Sequence, residues 1–299
     1  MIILSSFHVT SPEDERDFFD PMKKHVFKTK TYRTCYQSVY PFKFFEFRGL
    51  PDPLTFDDIT IFSGNNGCGK STLLNVIAEK LHLKRNTPYN RSDFFDDYTE
   101  LCQYELADVL IDDSSIITSD DVFNRVLDIR RLNNGIDDKR NMLIQEYINT
   151  QKFGDRTFHG MEDYDRWKEV HNTVHSSQSQ FIRSKLVNNV EEHSNGESAL
   201  AYFIESIKDG GLYLLDEPEN SLSPSNQILF KSFIEDCVKY NRCQFVLSTH
   251  SPFLLSLRHA KIYDLESDPV SVVRWSDLES VRAYYDFFRE RAAEFGDRG

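Results

Sequence analysis

The sequence predicts an α/β protein with a mostly parallel sheet flanked by helices, an antiparallel β lobe and an inserted, mainly helical lobe. Two stretches carry this prediction. In the first, the apolar run Ile59-Thr60-Ile61-Phe62 leads into Gly64-Asn65-Asn66-Gly67-Cys68-Gly69-Lys70-Ser71-Thr72, and Leu73, Leu74, Val76, Ile77 and Leu81 follow at helical spacing. That order is strand, glycine-rich loop of the form G-x-x-x-x-G-K-[ST], helix. In the second, Gly211-Leu212-Tyr213-Leu214-Leu215 runs into Asp216-Glu217-Pro218, as a strand buried on both faces that brings two carboxylates to the carboxyl edge of a parallel sheet.

In chain order, residues 1–83 combine a β lobe with the glycine-rich loop. Ile2-Ile3-Leu4, Cys35 to Tyr40, Phe42 to Phe47 and Ile59 to Phe62 read as strands. Residues 22–48 hold seven Lys/Arg against one acid, Glu46, with eight aromatics interleaved. That mixture reads either as sheet with a charged outer face or as a surface for DNA or a nucleotide base. Residues 84–190 leave the pattern and form the inserted lobe. Ten acids and no Lys or Arg lie between Asp93 and Asp121, a solvated face or, alternatively, a protein-docking surface. Ser115 to Thr118 reads as a strand, Val122, Val126, Ile129 and Leu132 as one face of a helix, and 138–152 and 162–190 as further helix.

Residues 191–265 resume the core. Ser223 caps a helix with Pro224 in its first position, running to about Tyr240, and Cys243 to Thr249 is the next strand. The resulting βαβ unit predicts parallel strands, with His250 on the same edge as Asp216, Glu217 and the glycine-rich loop. A strand-like piece, Lys261 to Leu265, precedes a tail over 266–299. There Ser276-Asp277-Leu278-Glu279 reads as a capping box, and Val281, Tyr284, Tyr285 and Phe288 as a helix face docked on its own domain, or else on a partner.

With 299 residues the chain is long enough for a substantial core, and its net charge of −13 argues against a general coat of positive potential for nucleic acid or membrane. Five cysteines without C-x-x-C spacing indicate neither a disulfide framework nor a zinc site. No apolar run approaches a membrane span, and the N-terminus turns polar too soon for a signal peptide, so a cytoplasmic protein without membrane contact is expected.

The glycine-rich loop is a P-loop. Its amides and the following helix N-terminus suit phosphate oxygens, Lys70 the β- and γ-phosphates, and Ser71 a Mg²⁺ ion. Asp216 and Glu217 suit metal binding and polarisation of an attacking water. Ser194-Asn195-Gly196-Glu197-Ser198, opening a helical run before the acidic strand, resembles the LSGGQ-like signature of ABC-type ATPases. His250 in Ser248-Thr249-His250-Ser251-Pro252 resembles their switch histidine, and Asn220-Ser221-Leu222-Ser223 their D-loop. The Gly-Asn-Asn-Gly loop, Asp-Glu-Pro-Glu-Asn and Ser-Thr-His-Ser-Pro are most similar to the SMC/Rad50/RecF group and to the stand-alone AAA-type ATPases of bacterial defence and repair.

This resemblance covers residues 59–83 and 191–265. It implies ATP and Mg²⁺ as ligands, with Gly64 to Thr72 of one subunit and Ser194, Asn195, Gly196 and Glu197 of a second copy around the nucleotide. Ser71 and Asp216 would hold the metal, with Lys70, Glu217 and His250 catalytic. It further implies a homodimer closed by ATP and coupled to DNA or to a separate effector chain, since no nuclease motif follows Leu265. Alternatives are a transporter's ATPase subunit and a nucleotide-gated binding module with negligible turnover. No Q-loop glutamine is evident; Ser119, Asp120 and Gln103 are the candidates.

Overall fold

A computed structural model describes residues 1–20, 39–45, 49–153, 170, 173, 177–186 and 195–296. It contains two sheets. The larger has six strands in the order β5 (Ser115–Thr118), β6 (Leu212–Asp216), β7 (Gln244–Ser248), β3 (Ile59–Ser63), β8 (Lys261–Asp264), β9 (Ser271–Val273). All neighbours are parallel except β9, which runs antiparallel to β8 at the edge. The smaller is antiparallel, with β1 (Leu4–His8) between β2 (Leu54–Thr55) and β4 (Gln103–Leu106).

The central strands are apolar at nearly every position because both faces of the sheet are covered. Phe62, Leu212, Leu214 and Val246 face one core with Leu73, Leu74 and Ile77 of α2 (Lys70–Lys80) and with α3 (Phe95–Leu101). Ile59, Ile61, Tyr213, Leu215, Phe245 and Leu247 face a second core, against α6 (Asn195–Ser206) and α7 (Pro224–Tyr240). Fully burying one such side chain contributes about 1.5–3 kcal/mol, so this two-sided sheet is the principal source of stability. Gln244, at the start of β7, is a fully buried polar residue. Its Oε1 accepts from Ile3 N at 2.9 Å and Leu4 N at 2.7 Å, and its Nε2 donates to Leu4 O at 2.9 Å and Asp57 O at 3.0 Å.

The chain divides into two compact units, Met1–Phe123 with Asn195–Gly299, and Asn124–Ser194. Residues 84–123, grouped with the insertion from sequence, supply α3, β4 and β5 to the first unit, because Ser115–Thr118 pairs along β6. The acidic run there is mostly exposed; Asp96 and Asp97 are part-buried, and Asp121 is buried at 4% exposed. The long helix α4 (Ser119–Phe153) begins straight after β5. In the second unit, α5 (Gln178–Lys185) opens with a capping box from Ser177. It is tied to the later part of α4 by Lys185–Glu146 at 3.1 Å and by the Tyr147 and Phe181 rings at 5.7 Å.

Three expected local structures differ. Residues 39–45 form turns, not the strands expected over Cys35–Tyr40 and Phe42–Phe47. Phe42 N bonds Val39 O and Phe44 N bonds Pro41 O, so these amides are used locally, and Phe42 and Phe45 turn inward. Most of the basic–aromatic stretch 22–48 lies outside the described residues. The capping box at Ser276 does not form: Trp275–Asp277 is a 3₁₀ turn, and α9 (Glu279–Glu290) starts after Leu278 with no side-chain cap. Of the expected docking face of α9, Val281 is buried, whereas Tyr284, Tyr285 and Phe288 are half exposed. The remaining helices are α1 (Pro12–Phe19), α8 (Pro252–Leu255) and α10 (Ala292–Phe295). Among the described residues no helix is long and apolar enough to cross a membrane, and Cys68, Cys102, Cys237 and Cys243 are free thiols.

Candidate active site

The register of the parallel strands brings the predicted residues to one edge. Thr118 of β5 lies beside Asp216 of β6, Asp216 beside Ser248 of β7, and Ser248 beside Phe62 of β3. The loop from Gly64 therefore starts at the level where the acidic pair and His250 emerge. Gly69 caps α2 with φ 104°, a conformation that side-chain-bearing residues rarely adopt, and a Cβ there would lie 2.5 Å from the Phe44 ring. The turn at 39–45 thus packs directly on the phosphate loop. Tyr40 adds a hydrogen bond from its hydroxyl to Thr72 Oγ1 at 3.1 Å.

Lys70 is 3% exposed. Its ammonium donates to Gly64 O at 2.8 Å, Asn65 O at 3.3 Å and His250 Nε2 at 2.6 Å, and lies 3.6 Å from Glu217 Oε1. The same Nε2 lies 3.5 Å from Glu217 Oε1; beside a charged Lys70, which has no lone pair to offer, the ring accepts at Nε2 in the tautomer that carries its proton on Nδ1. Burial, then the Lys70 charge, hold the His250 pKa below the ordinary value; Glu217 and Glu266 oppose this. Glu217 is 28% exposed, adopts φ 47°, and accepts from Asn220 Nδ2 at 3.0 Å. Ser71 Oγ donates to Asp216 Oδ1 at 2.9 Å, and Ser248 Oγ donates to the same oxygen at 2.5 Å. Burial pushes the Asp216 carboxyl above its usual range, while these two hydroxyls and Lys70 pull it back.

Lys70, Ser71, Asp216, Glu217 and His250 are therefore gathered in one place, with Gly64 to Gly69 around the lysine. Asn195, Gly196 and Glu197 form the first turn of α6, and Ser194 lies outside the described residues. Of the Q-loop candidates, Gln103 is in the small sheet opposite His8 and Ser119 and Asp120 open α4, where Asp121 accepts from Thr118 N at 2.7 Å.

Several neighbours had no assigned role from sequence. Ser248 binds Asp216, and Glu219 accepts His250 N at 2.6 Å. Arg85 stacks on Tyr89 at 4.1 Å and donates to Asn75 Oδ1 at 2.5 Å. Desolvation lowers its pKa, opposed among others by Asp121 and Asp216. Both Glu219 and Ser248 stand inside the quoted motifs, whereas nothing local marks Arg85.

A family model described as "AAA domain, putative AbiEii toxin, Type IV TA system" matches residues 82–256. The chain belongs to this AAA-domain family. The match begins after the phosphate loop and takes in the acidic pair and His250. Solved structures similar to this AAA-domain protein include the Smc head domain of Pyrococcus furiosus bound to the C-terminal domain of ScpA, at 14% identity, 80% of this chain, 95% of that one and TM-score 0.37. The SMC head domain of Thermotoga maritima matches at 15%, 74%, 92% and 0.36. A nucleotide-free ATP-binding cassette from an ABC transporter matches at 13%, 96%, 96% and 0.38. A search of curated proteins finds no match.

Proposed function

We propose that the protein is a Mg²⁺-dependent ATPase that acts as a dimer closed around ATP and passes the open–closed change to a separate partner in defence or repair. The observation that carries this reading is the meeting of Lys70 with both Glu217 and His250 beside the Ser71–Asp216 pair. A buried lysine enclosed by phosphate-loop carbonyls, facing a carboxylate and an imidazole, is suited to a γ-phosphate and its attacking water. Glu217 accepts the water's proton as its oxygen bonds to γ-phosphorus and the bond to ADP breaks. Lys70 balances phosphate charge, and His250 steadies the γ-phosphate.

Ser71 and Asp216 present adjacent oxygen donors and no sulfur or nitrogen, a set that fits Mg²⁺. When bound, the ion would neutralise charge between the β- and γ-phosphates. Ser194, Asn195, Gly196 and Glu197 would complete the site from the second copy. The family description, which names a putative toxin of a type IV toxin–antitoxin system, supports a defence role; a separate effector chain is this reading's own addition. DNA contact through residues 22–48 is a further element of the reading.

The decisive experiment mixes two inactive variants, Ser194→Arg and Lys70→Ala. A mixed dimer has one site with both lesions and one with neither, so turnover should recover to at most about half of wild type per mixed dimer if the sites are independent. Wild-type specific activity should also rise with protein concentration. Full activity in Ser194→Arg alone would overturn the dimeric reading and leave a generic P-loop ATPase.

A further inference from the structure

Glu219 stands in the 3₁₀ turn Pro218–Ser221, two residues beyond the proposed base. The turn is stiff. Asn220 N bonds Glu217 O at 3.2 Å and Leu222 N bonds Glu219 O at 3.0 Å, while Glu217 itself holds a left-handed backbone. From this turn the Glu219 side chain crosses to the loop after β7, where Oε1 accepts the backbone N–H of His250 at 2.6 Å. Such a short bond from a neutral amide to a carboxylate is of the charge-assisted kind. The other oxygen, Oε2, is buried with no hydrogen-bond partner among the described residues. Desolvating a carboxylate in this way is a costly route to a stable fold, and an apolar side chain of similar size would avoid that cost.

A second strut reaches the same loop. Gln227 of α7 donates through Nε2 to Leu222 O at 2.9 Å and accepts from Ser251 Oγ at 2.6 Å. His250 is therefore held on both sides by groups anchored to the segment that carries Glu217. We propose that Glu219 is a positioning residue: its carboxylate fixes the backbone at His250 so that the imidazole meets Lys70 and Glu217, and it makes the position of His250 follow any movement of the 218–221 turn. This deepens the ATPase reading and rests on it. Burial pushes the Glu219 carboxyl above its usual range, while the His250 amide, its own backbone and the Thr249 side chain pull it back, in keeping with a group held in place at some energetic cost.

The test compares Glu219→Ala and Glu219→Gln in the wild-type and His250→Ala backgrounds, reading kcat, ATP affinity with a fluorescent ATP analogue, and thermal stability. Glu219→Ala should lower kcat at least about tenfold and leave affinity within about twofold, because the phosphate loop is untouched. Glu219→Gln keeps an acceptor oxygen for His250 N and should restore most of kcat. In the His250→Ala background, Glu219→Ala should have no further effect on the residual turnover, since its influence passes through the ring. The proposal is overturned by wild-type kcat in Glu219→Ala, by an undiminished effect in the His250→Ala background, or by equal loss of affinity and stability in both Glu219 variants. These outcomes differ from failure of the ATPase reading. Absence of Mg²⁺-dependent turnover in the wild type, with Glu217→Gln indistinguishable from it, would remove both.

Discussion

Replacing Glu217 by glutamine keeps the shape of the side chain and removes one negative charge from the group facing Lys70. Two effects with opposite functional signs follow. At 3.6 Å the Lys70–Glu217 attraction is about 1–5 kcal/mol for effective dielectrics from 80 to 20. Glu217 is 28% exposed, so solvent screening favours the lower part, about 1–2 kcal/mol. That attraction offsets part of the lysine's positive charge, and the same carboxylate would repel a γ-phosphate. Glu217→Gln should therefore bind ATP about five- to thirtyfold more tightly. Loss of the base should slow hydrolysis by about 10²–10⁴-fold, or about 3–5 kcal/mol in the barrier. Titration with a fluorescent ATP analogue measures the first effect, and single-turnover release of labelled phosphate the second. Weaker ATP binding would refute the electrostatic argument, and turnover within about threefold of wild type would remove Glu217 as the base.

Lys70→Ala should lose at least about a hundredfold in ATP affinity, because among the described residues no other cationic side chain contacts the loop carbonyls at 64 and 65; unchanged affinity in the same titration would argue against the phosphate-loop assignment. Gly69→Ala combines a positive φ with a Cβ 2.5 Å from the Phe44 ring and should cost about 2–5 kcal/mol in urea unfolding. Gly67→Ala, with φ 83° and nothing within 4 Å of its Cβ, should cost only about 1–2 kcal/mol, and equal losses would contradict the packing of 39–45 on the loop. The depressed His250 pKa means that the unfolded chain takes up the proton first as pH falls below the ordinary value of about 6.5. Ligand-free stability should then decline from about pH 6.5 down through the folded pKa, and His250→Gln should reduce that slope in melting curves at pH 7.5, 6.5 and 5.5. Identical slopes in the two proteins would refute the assignment.

The parts of this molecule that could be read from sequence are those where one local pattern has one physical solution. Ile59 to Lys80 and Leu212 to Ser248 are such stretches: continuous apolar strands require cover on both faces, and the glycine loop fits only between a strand and a helix. Aromatic residues carry less information. Phe42 to Phe45 satisfy a strand pattern and a turn pattern equally well, and the choice falls to packing against Phe18 and Tyr98, residues distant in sequence. Ser276 and Glu279 have the spacing of a capping box, yet Arg274 engages Asp277 at 2.9 Å and the intervening residues close a 3₁₀ turn. Within the site, Lys70, Ser71, Asp216, Glu217 and His250 announce themselves through motif and strand end. The contacts of Glu219 with His250 and of Arg85 with Asn75 depend on how separate segments meet, so spacing alone could not give them.

Gln244 bears on a different problem, that of strand alignment. A strand in the middle of a sheet with oil on both sides has no wet face, so sliding it by one residue would exchange one buried apolar set for another at little hydrophobic cost. Phe245, Val246 and Leu247 cannot by themselves tell β7 where to stop. The polar residues at its ends can: Gln244 has all four of its amide bonds only when it lies against Leu4 and Asp57, and Ser248 reaches Asp216 only in that same alignment. A one-residue slip would strand a buried amide at one end and withdraw a hydroxyl from Asp216 at the other. The amide at the foot of the strand thus acts as a ruler for the chemistry at its tip, four residues along the same backbone.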